Sequence, residues 1–208
     1  MEEAAPVLGV LLAGGLARRM GGGDKPLRMV GGVAMLERAI ARLKPQCAAL
    51  ILNANGDPAR FAATGLPVVA DSVPDFAGPL AGVLAGMDWC ARHRPDLQWI
   101  VTIAADTPFL PADFVSCLQD AHLEQGARIA QAASGGRTHP VNALWPVDLR
   151  EELRHALTIE NLRKVGAWIE RYPLATAEWE TEPVDPFFNA NSPEDLAEAD
   201  RLAAKHGL

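Results

Sequence analysis

The stretch Leu11 to Lys25, LLAGGLARRMGGGDK, decides how this chain is read. An apolar run ends in paired glycines, and two arginines, three more glycines and an Asp-Lys follow. Gly14, Gly15, Gly21, Gly22 and Gly23 let the backbone turn tightly and bring bare N–H groups up to anionic oxygens, while Arg18, Arg19 and Lys25 supply fixed cations. Five glycines and three cations in fifteen residues exceed what a plain surface loop needs. The composition is that of a phosphate cradle.

Two familiar phosphate loops are excluded. A P-loop needs Gly-Lys-Ser/Thr at the opening of its helix, whereas Lys25 follows Asp24 and precedes Pro26. The dinucleotide G-x-G-x-x-G fails because Gly21 and Gly23 lead into Asp24, Lys25 and Pro26. A third kind remains, in the order apolar strand, LAGG, x-x-R-R-M-G-G, D-K.

Outward from the loop, the pattern alternates. Val7 to Leu12 is a continuous apolar run, too short for an ordinary helix, and reads as a strand buried on both faces. Met35, Leu36, Ala39, Ile40 and Leu43 fall at helical spacing up to Pro45. Leu50–Leu52 and Leu66–Ala70 read as strands ending at Asn53 and Asp71, with a short helix from Pro58 to Ala63 between them. Pro79 opens a helix to about Arg92, and Trp99–Ala105 is a fourth buried strand that delivers Asp106. Pro111–Leu123 reads as a helix, Arg128–Ala133 and His139–Trp145 as paired strands around Gly135-Gly136. Leu149–Leu157, Asn161–Ile169 and Pro193–Ala204 read as helices, with a short strand near Leu174–Ala177. Such alternation implies βαβ units: an α/β fold in three layers, with a mainly parallel sheet, in one domain spanning 1–208.

Composition narrows the function. Hydrophobic residues make up 49% and charged residues 22%, which suits an ordinary globular protein. Net charge is −7, yet residues 1–45 carry seven Lys/Arg against four Asp/Glu, so the cations gather where the glycines are. An acidic surface with one cationic spot argues against nucleic acid as partner and for a small anion. Glu2 and Glu3 replace the cationic start of a signal peptide, and no stretch reaches the roughly 20 apolar residues that span a bilayer. Cys47, Cys90 and Cys117 are too few and too scattered for a disulfide framework or a zinc site, so a cytoplasmic setting is expected.

Each candidate residue has a plainer competitor. Asp106, in Ala-Ala-Asp-Thr-Pro beyond a buried strand, suits a Mg²⁺ ligand completed by nucleotide phosphates, or else a cap on a helix opening near Pro108. Lys25 is either a solvated surface lysine or a cation that holds phosphate oxygens and neutralises their charge. One of Arg18 and Arg19 is expected to pair with surface carboxylates, and Arg19 is the one assigned to phosphate. Asn53 and Asp71 serve either strand-end turns or base recognition, since a carboxylate accepts from the N1–H and N2–H₂ donors of guanine. Asn191 and Ser192 read as the start of the last helix, with Ser192 its cap. Asp88, Asp96, Asp113 and Asp120 read as solvated. A nucleophile elbow, a Cys-His pair and HExxH are all missing from the sequence, so hydrolysis has no support.

The loop and six later landmarks together resemble the molybdenum cofactor guanylyltransferases. These landmarks are Asn53-Ala-Asn55, Asp71-Ser72, Gly78-Pro79-Leu80-Ala81-Gly82, Asp106-Thr107-Pro108, His139-Pro140-Val141 and Phe188-Asn189-Ala190-Asn191-Ser192-Pro193, in that order. The resemblance implies a Rossmann-like nucleotidyltransferase domain that transfers GMP from GTP to molybdopterin and releases pyrophosphate. It implies GTP contacts from Leu12, Ala13, Gly14, Gly15, Lys25, Asn53, Asp71 and Asp106, with Mg²⁺ on Asp106. Arg19, Gly22, Gly78, Asn189 and Asn191 are then expected on or near the pterin, and transient contact with molybdenum-insertion proteins and molybdoenzyme chaperones is expected as well. Lys25, Asp106 and Arg19 carry the catalytic roles. The rival readings are a cytidylyltransferase on the same pterin, a sugar-phosphate nucleotidyltransferase, and a non-catalytic GTP-binding adaptor. Gly14 favours guanine, because cytidylyl relatives tend to have alanine there.

Overall fold

In the computed structural model, residues 5–14, 24–73 and 78–208 are described. The apolar run forms strand β1 (Val7–Leu12), which lies at the centre of the parallel part of the sheet. β4 (Ala49–Asn53) and β6 (Trp99–Ala104) flank it, both parallel and in register to their last residues, Leu12 facing Asn53 on one side and Ala104 on the other. The seven-stranded order is β5-β4-β1-β6-β8-β7-β9, with β5 (Val68–Val69), β7 (Ile129–Ser134), β8 (Arg137–Pro146) and β9 (Leu174–Trp179). Among the described strands of this sheet β8 alone runs against its neighbours, pairing antiparallel with both β6 and β7.

Successive residues of a strand face opposite ways, and the core divides accordingly. Val7 and Leu11 pack with α1 (Met35–Leu43) and α3 (Phe114–Glu124) on one face. Leu8 and Val10 pack with α2 (Pro79–His93), α4 (Arg150–Thr158) and α5 (Val165–Ile169) on the other. A third, smaller cluster joins Val30, Met35, Phe109 and Ala190 to the C-terminal helix α6 (Pro193–His206). That cluster draws the end of the chain back to the edge where β1 and β6 finish.

Three expectations are corrected, and one element was not foreseen. The helix predicted from Pro111 begins at Phe114, because the Gln46 side chain accepts from Val115 N (2.9 Å) and donates to Pro111 O (3.0 Å), closing the helix end from another segment. Asn161–Lys164 is not helical: Asn161 sits at φ 56°, a left-handed position that Asn tolerates, and reverses the chain between α4 and α5. Asp88 is not solvated; it projects from α2 to accept from Arg154 of α4 (2.5 Å). The hairpin β2 (Met29–Val30) and β3 (Val33–Ala34) was not anticipated, although Gly31-Gly32, at φ 58° and 78°, is the turn signal for it.

Candidate functional site

The site is built at the C-terminal end of β1. Ala13 N donates to Asn53 O (2.9 Å) and Ala105 N donates to Leu12 O (3.1 Å), so the ladder holds the chain rigid to the threshold of the glycine loop. Those bonds use the Leu12 carbonyl and the Ala13 amide internally. Beyond them, no described atom lies within 4 Å of where a Gly14 Cβ would stand.

Lys25 is 8% exposed and not a solvated lysine. It begins a short 3-10 turn, Lys25–Leu27, stiffened by Pro26, and its Nζ forms an ion pair with Asp106 Oδ2. The same ammonium donates to Asn189 Oδ1 (2.9 Å) and Asn191 Oδ1 (2.6 Å), so its three protons meet three oxygens. Asn189 Nδ2 in turn donates to Asp106 Oδ1 (2.8 Å). Asp106 caps no helix, since α3 starts at Phe114. Ser192 does cap: it accepts from Asp195 N and the Asp195 carboxylate accepts from Ser192 N (2.9 Å), which frees Asn191 to turn toward Lys25.

A second patch stands on the other side of β1. Asn53, 4% exposed, donates through Nδ2 to Val69 O (3.1 Å) and Asp71 Oδ1 (3.0 Å). Asn55 clamps the same aspartate from both ends, its Nδ2 donating to Asp71 Oδ2 (2.7 Å) and its Oδ1 accepting from Asp71 N (2.9 Å). Asp71 is thereby fixed as an acceptor, with lone pairs left on both oxygens. The first turns of α2 press on this patch. A Cβ on Gly82 would collide with Asn53 Oδ1 and stand 2.7 Å from Leu12 Cδ2, so a bare backbone is required there.

Arg60, which the sequence reading missed, joins the two patches. It donates to Asp24 Oδ1 (2.5 Å), next to Lys25, and to Asn55 O (2.5 Å), next to the Asp71 clamp. Asp57, capping Ala59 N (2.9 Å), betrays the turn that carries Arg60, but its two partners are tertiary and left no local signal. Asn55 was visible as a landmark without a role.

The structure therefore gathers Lys25, Asp106, Asn189 and Asn191 in one cluster and Asn53 with Asp71 in another, with Leu12, Ala13 and Gly14 between them. Gly78 precedes the first turn of α2, one turn before Gly82. Gly15, Arg19 and Gly22, with Arg18, lie outside the described residues. Burial pushes the Cys47 thiol up to about 12 and those of Cys90 and Cys117 up to about 11. A cavity of about 590 Å³ lies at the opposite sheet edge, beside Trp99 and Pro146, where Arg128 is already paired with Asp148 (2.8 Å).

The donor set suits a hard divalent cation. Asp106, Asn189 and Asn191 already point oxygens at one positive charge, and carboxylate and amide carbonyl oxygens are what Mg²⁺ and Mn²⁺ take. Among the described residues no three His, Cys, Asp or Glu side chains are grouped to hold a metal by themselves. No described helix is long and apolar enough to cross a membrane.

Comparison with known proteins bears on family and fold. Residues 9–176 match the family model of the MobA-like NTP transferase domain. The molybdenum cofactor guanylyltransferase of Nitrobacter hamburgensis is 61% identical over 205 residues, covering 99% of this chain and 98% of that protein. The solved molybdopterin-guanine dinucleotide biosynthesis protein A of Archaeoglobus fulgidus superposes with a TM-score of 0.74 at 21% identity, covering 96% of this chain and 100% of that one. A Mycobacterium tuberculosis protein solved in complex with manganese superposes at 0.67 with 19% identity, covering 95% and 99%.

Proposed function

The chain belongs to the MobA-like NTP transferase family, and on that premise we propose that the Lys25, Asp106, Asn189 and Asn191 cluster is the reacting centre of a guanylyl transfer. The activity is that of a molybdenum cofactor guanylyltransferase: GMP passes from GTP to molybdopterin, and molybdopterin guanine dinucleotide forms. The pterin phosphate oxygen bonds to the α-phosphorus of GTP, and the bond from that phosphorus to the β-phosphate oxygen breaks as pyrophosphate leaves. The nucleophile is already ionised at neutral pH, so alignment and charge cancellation decide the rate.

Each residue then has a task. Asp71, oriented by Asn53 and Asn55, accepts from the N1–H and N2–H₂ edge of guanine. Gly14 and Gly15 let the nucleotide approach the end of β1. Lys25 gives up one of its present partners to a phosphate oxygen and stabilises the charge that develops on the departing pyrophosphate. Asn189 and Asn191 face the acceptor side, where Arg19, Gly22 and Gly78 also belong. Mg²⁺ is assigned to Asp106; when bound, it neutralises phosphate charge and fixes the phosphate oxygens. Contact with molybdenum-insertion proteins and chaperones, in the cytoplasm, is part of the same proposal.

The observation that carries the reading is the buried Lys25 ammonium ringed by Asp106, Asn189 and Asn191 beside the end of β1. The test is pyrophosphate release with molybdopterin, Mg²⁺ and GTP or CTP. Release with GTP and not CTP, lost in Asp106→Ala, is expected. Release with CTP, or GTP binding without release, would overturn it in favour of a cytidylyltransferase or an adaptor.

A further inference from the structure

His139, Ser134 and Asp185 form a contact that the transfer reaction leaves unexplained. Ser134, 2% exposed at the end of β7, donates its hydroxyl to Asp185 Oδ1 (2.8 Å) and meets His139 Nε2 of β8 at 2.9 Å. Because the hydroxyl proton is given to the carboxylate, Nε2 carries a proton and donates to Ser134. This is not a nucleophilic triad: the serine, not the histidine, contacts the carboxylate, and its proton points to that carboxylate and not to the imidazole.

What the contact does hold is the chain after it. Asp185 Oδ1 also accepts from Phe187 N (2.9 Å), and Asp185 O accepts from Phe188 N (3.1 Å), so one aspartate bends the chain at 185–188. The Phe187 ring is locked beside His139 (4.8 Å between centroids), Trp179 (5.2 Å) and Phe114 (6.0 Å). Two and four residues later, Asn189 and Asn191 reach Lys25, with Ala190 fully buried between them.

We propose that Asp185, held by Ser134 and His139, is a positioning residue for the transfer. It sets the path of the segment that presents Asn189 and Asn191 to the reacting centre. The inference rests on the assignment of those two asparagines above. It predicts a one-sided effect, because Asn53 and Asp71 hang from β4 and β5 and share no bond with Asp185.

The experiment compares Asp185→Ala, Asp185→Asn, Ser134→Ala and Asn189→Ala in steady-state kinetics with GTP and molybdopterin varied separately. Asp185→Ala is expected to raise KM for molybdopterin and lower kcat, together on the order of 10²-fold in kcat/KM, while KM for GTP stays within about 2-fold, below the effect of one lost hydrogen bond. Asp185→Asn keeps the accepting Oδ1 and should restore most of the activity; Ser134→Ala should show a smaller loss of the same kind. If Asp185→Ala does not fold, the Ser134→Ala profile alone decides. In an Asn189→Ala/Asn191→Ala background, adding Asp185→Ala should cost little more, as expected of a residue that acts through them. Fully additive losses, or equal rises in both KM values, would overturn the proposal and make the contact merely structural. Impaired Asn189→Ala beside normal Asp185→Ala would overturn this inference alone; an unaffected Asn189→Ala would overturn the site assignment as well.

Discussion

Lys25 and Asp106, 81 residues apart in the chain, meet as an ion pair whose side chains are 9% and 17% exposed. Neither is placed by its own neighbours in sequence. The turn after Asp24 carries one, the end of β6 carries the other, and Asn189 is bonded to both.

Removing either member of this pair should stop the reaction. Asp106→Ala and Lys25→Ala are expected to lower kcat by on the order of 10²-fold or more, the usual cost of a lost transition-state charge contact. Both should keep the native circular dichroism spectrum, since the sheet and its two helical layers make no use of the pair. Near-normal turnover in Lys25→Ala would remove it from the reacting centre.

Guanine discrimination should reside in Asp71. Its carboxylate is held by Asn53 and Asn55 at 3.0 and 2.7 Å, which presets two acceptor oxygens. Asp71→Asn replaces one acceptor by a donor and should raise KM for GTP by about 10- to 100-fold, the range for a hydrogen bond to a charged group. Inosine triphosphate lacks the 2-amino group, so the wild type should prefer GTP over it and the variant should not. An unchanged preference would move base reading elsewhere.

Gly82→Ala tests the packing of α2 on the Asn53–Asp71 patch. The added methyl would collide with Asn53 Oδ1, and with a buried amide as neighbour the strain cannot be relieved by a flexible chain end. A stability loss of about 1–3 kcal/mol is expected, with a raised KM for GTP because Asn53 and Asp71 are bonded to each other. Urea unfolding and GTP titration read the two effects; a rise in KM without any stability loss would contradict the steric account.

Acid should weaken the Ser134–His139–Asp185 contact in a defined direction. Burial holds the His139 imidazole below its ordinary value, with Arg137 adding to this and Asp185 and Glu178 opposing it. The unfolded chain then binds a proton at higher pH than the native one, so the full stability is present above the ordinary pKa of about 6.5 and declines as pH falls toward the folded value. The urea midpoint should drop more steeply between pH 7.5 and 5 in the wild type than in His139→Gln. Parallel pH profiles would show that another group is responsible.

Much of the fold was legible because its signals are local. The Val7–Leu12 run, the helical spacing from Met35 to Leu43 and the apolar strand before Asp106 were each readable within a few residues, and alternation of such elements implied a parallel sheet. The readings that failed are those settled by distant groups: Gln46 closing the start of α3, and Asp88 drawn to Arg154 across two helices.

Local patterning alone implies that a glycine-rich, cationic loop follows a buried strand, and that Asn53, Asp71 and Asp106 stand at strand ends on one edge. It also marked Asn189 and Asn191 by their motif. Which of these meet was decided by the tertiary structure. Asn191 reaches Lys25 across 166 residues because α6 packs on Val30 and Met35, and Arg60 ties Asp24 to Asn55 because the 3-10 segment Pro58–Thr64 that follows β4 carries it to both. Local periodicity reports burial and backbone conformation; the partners of a polar side chain depend on which segments the sheet order brings side by side.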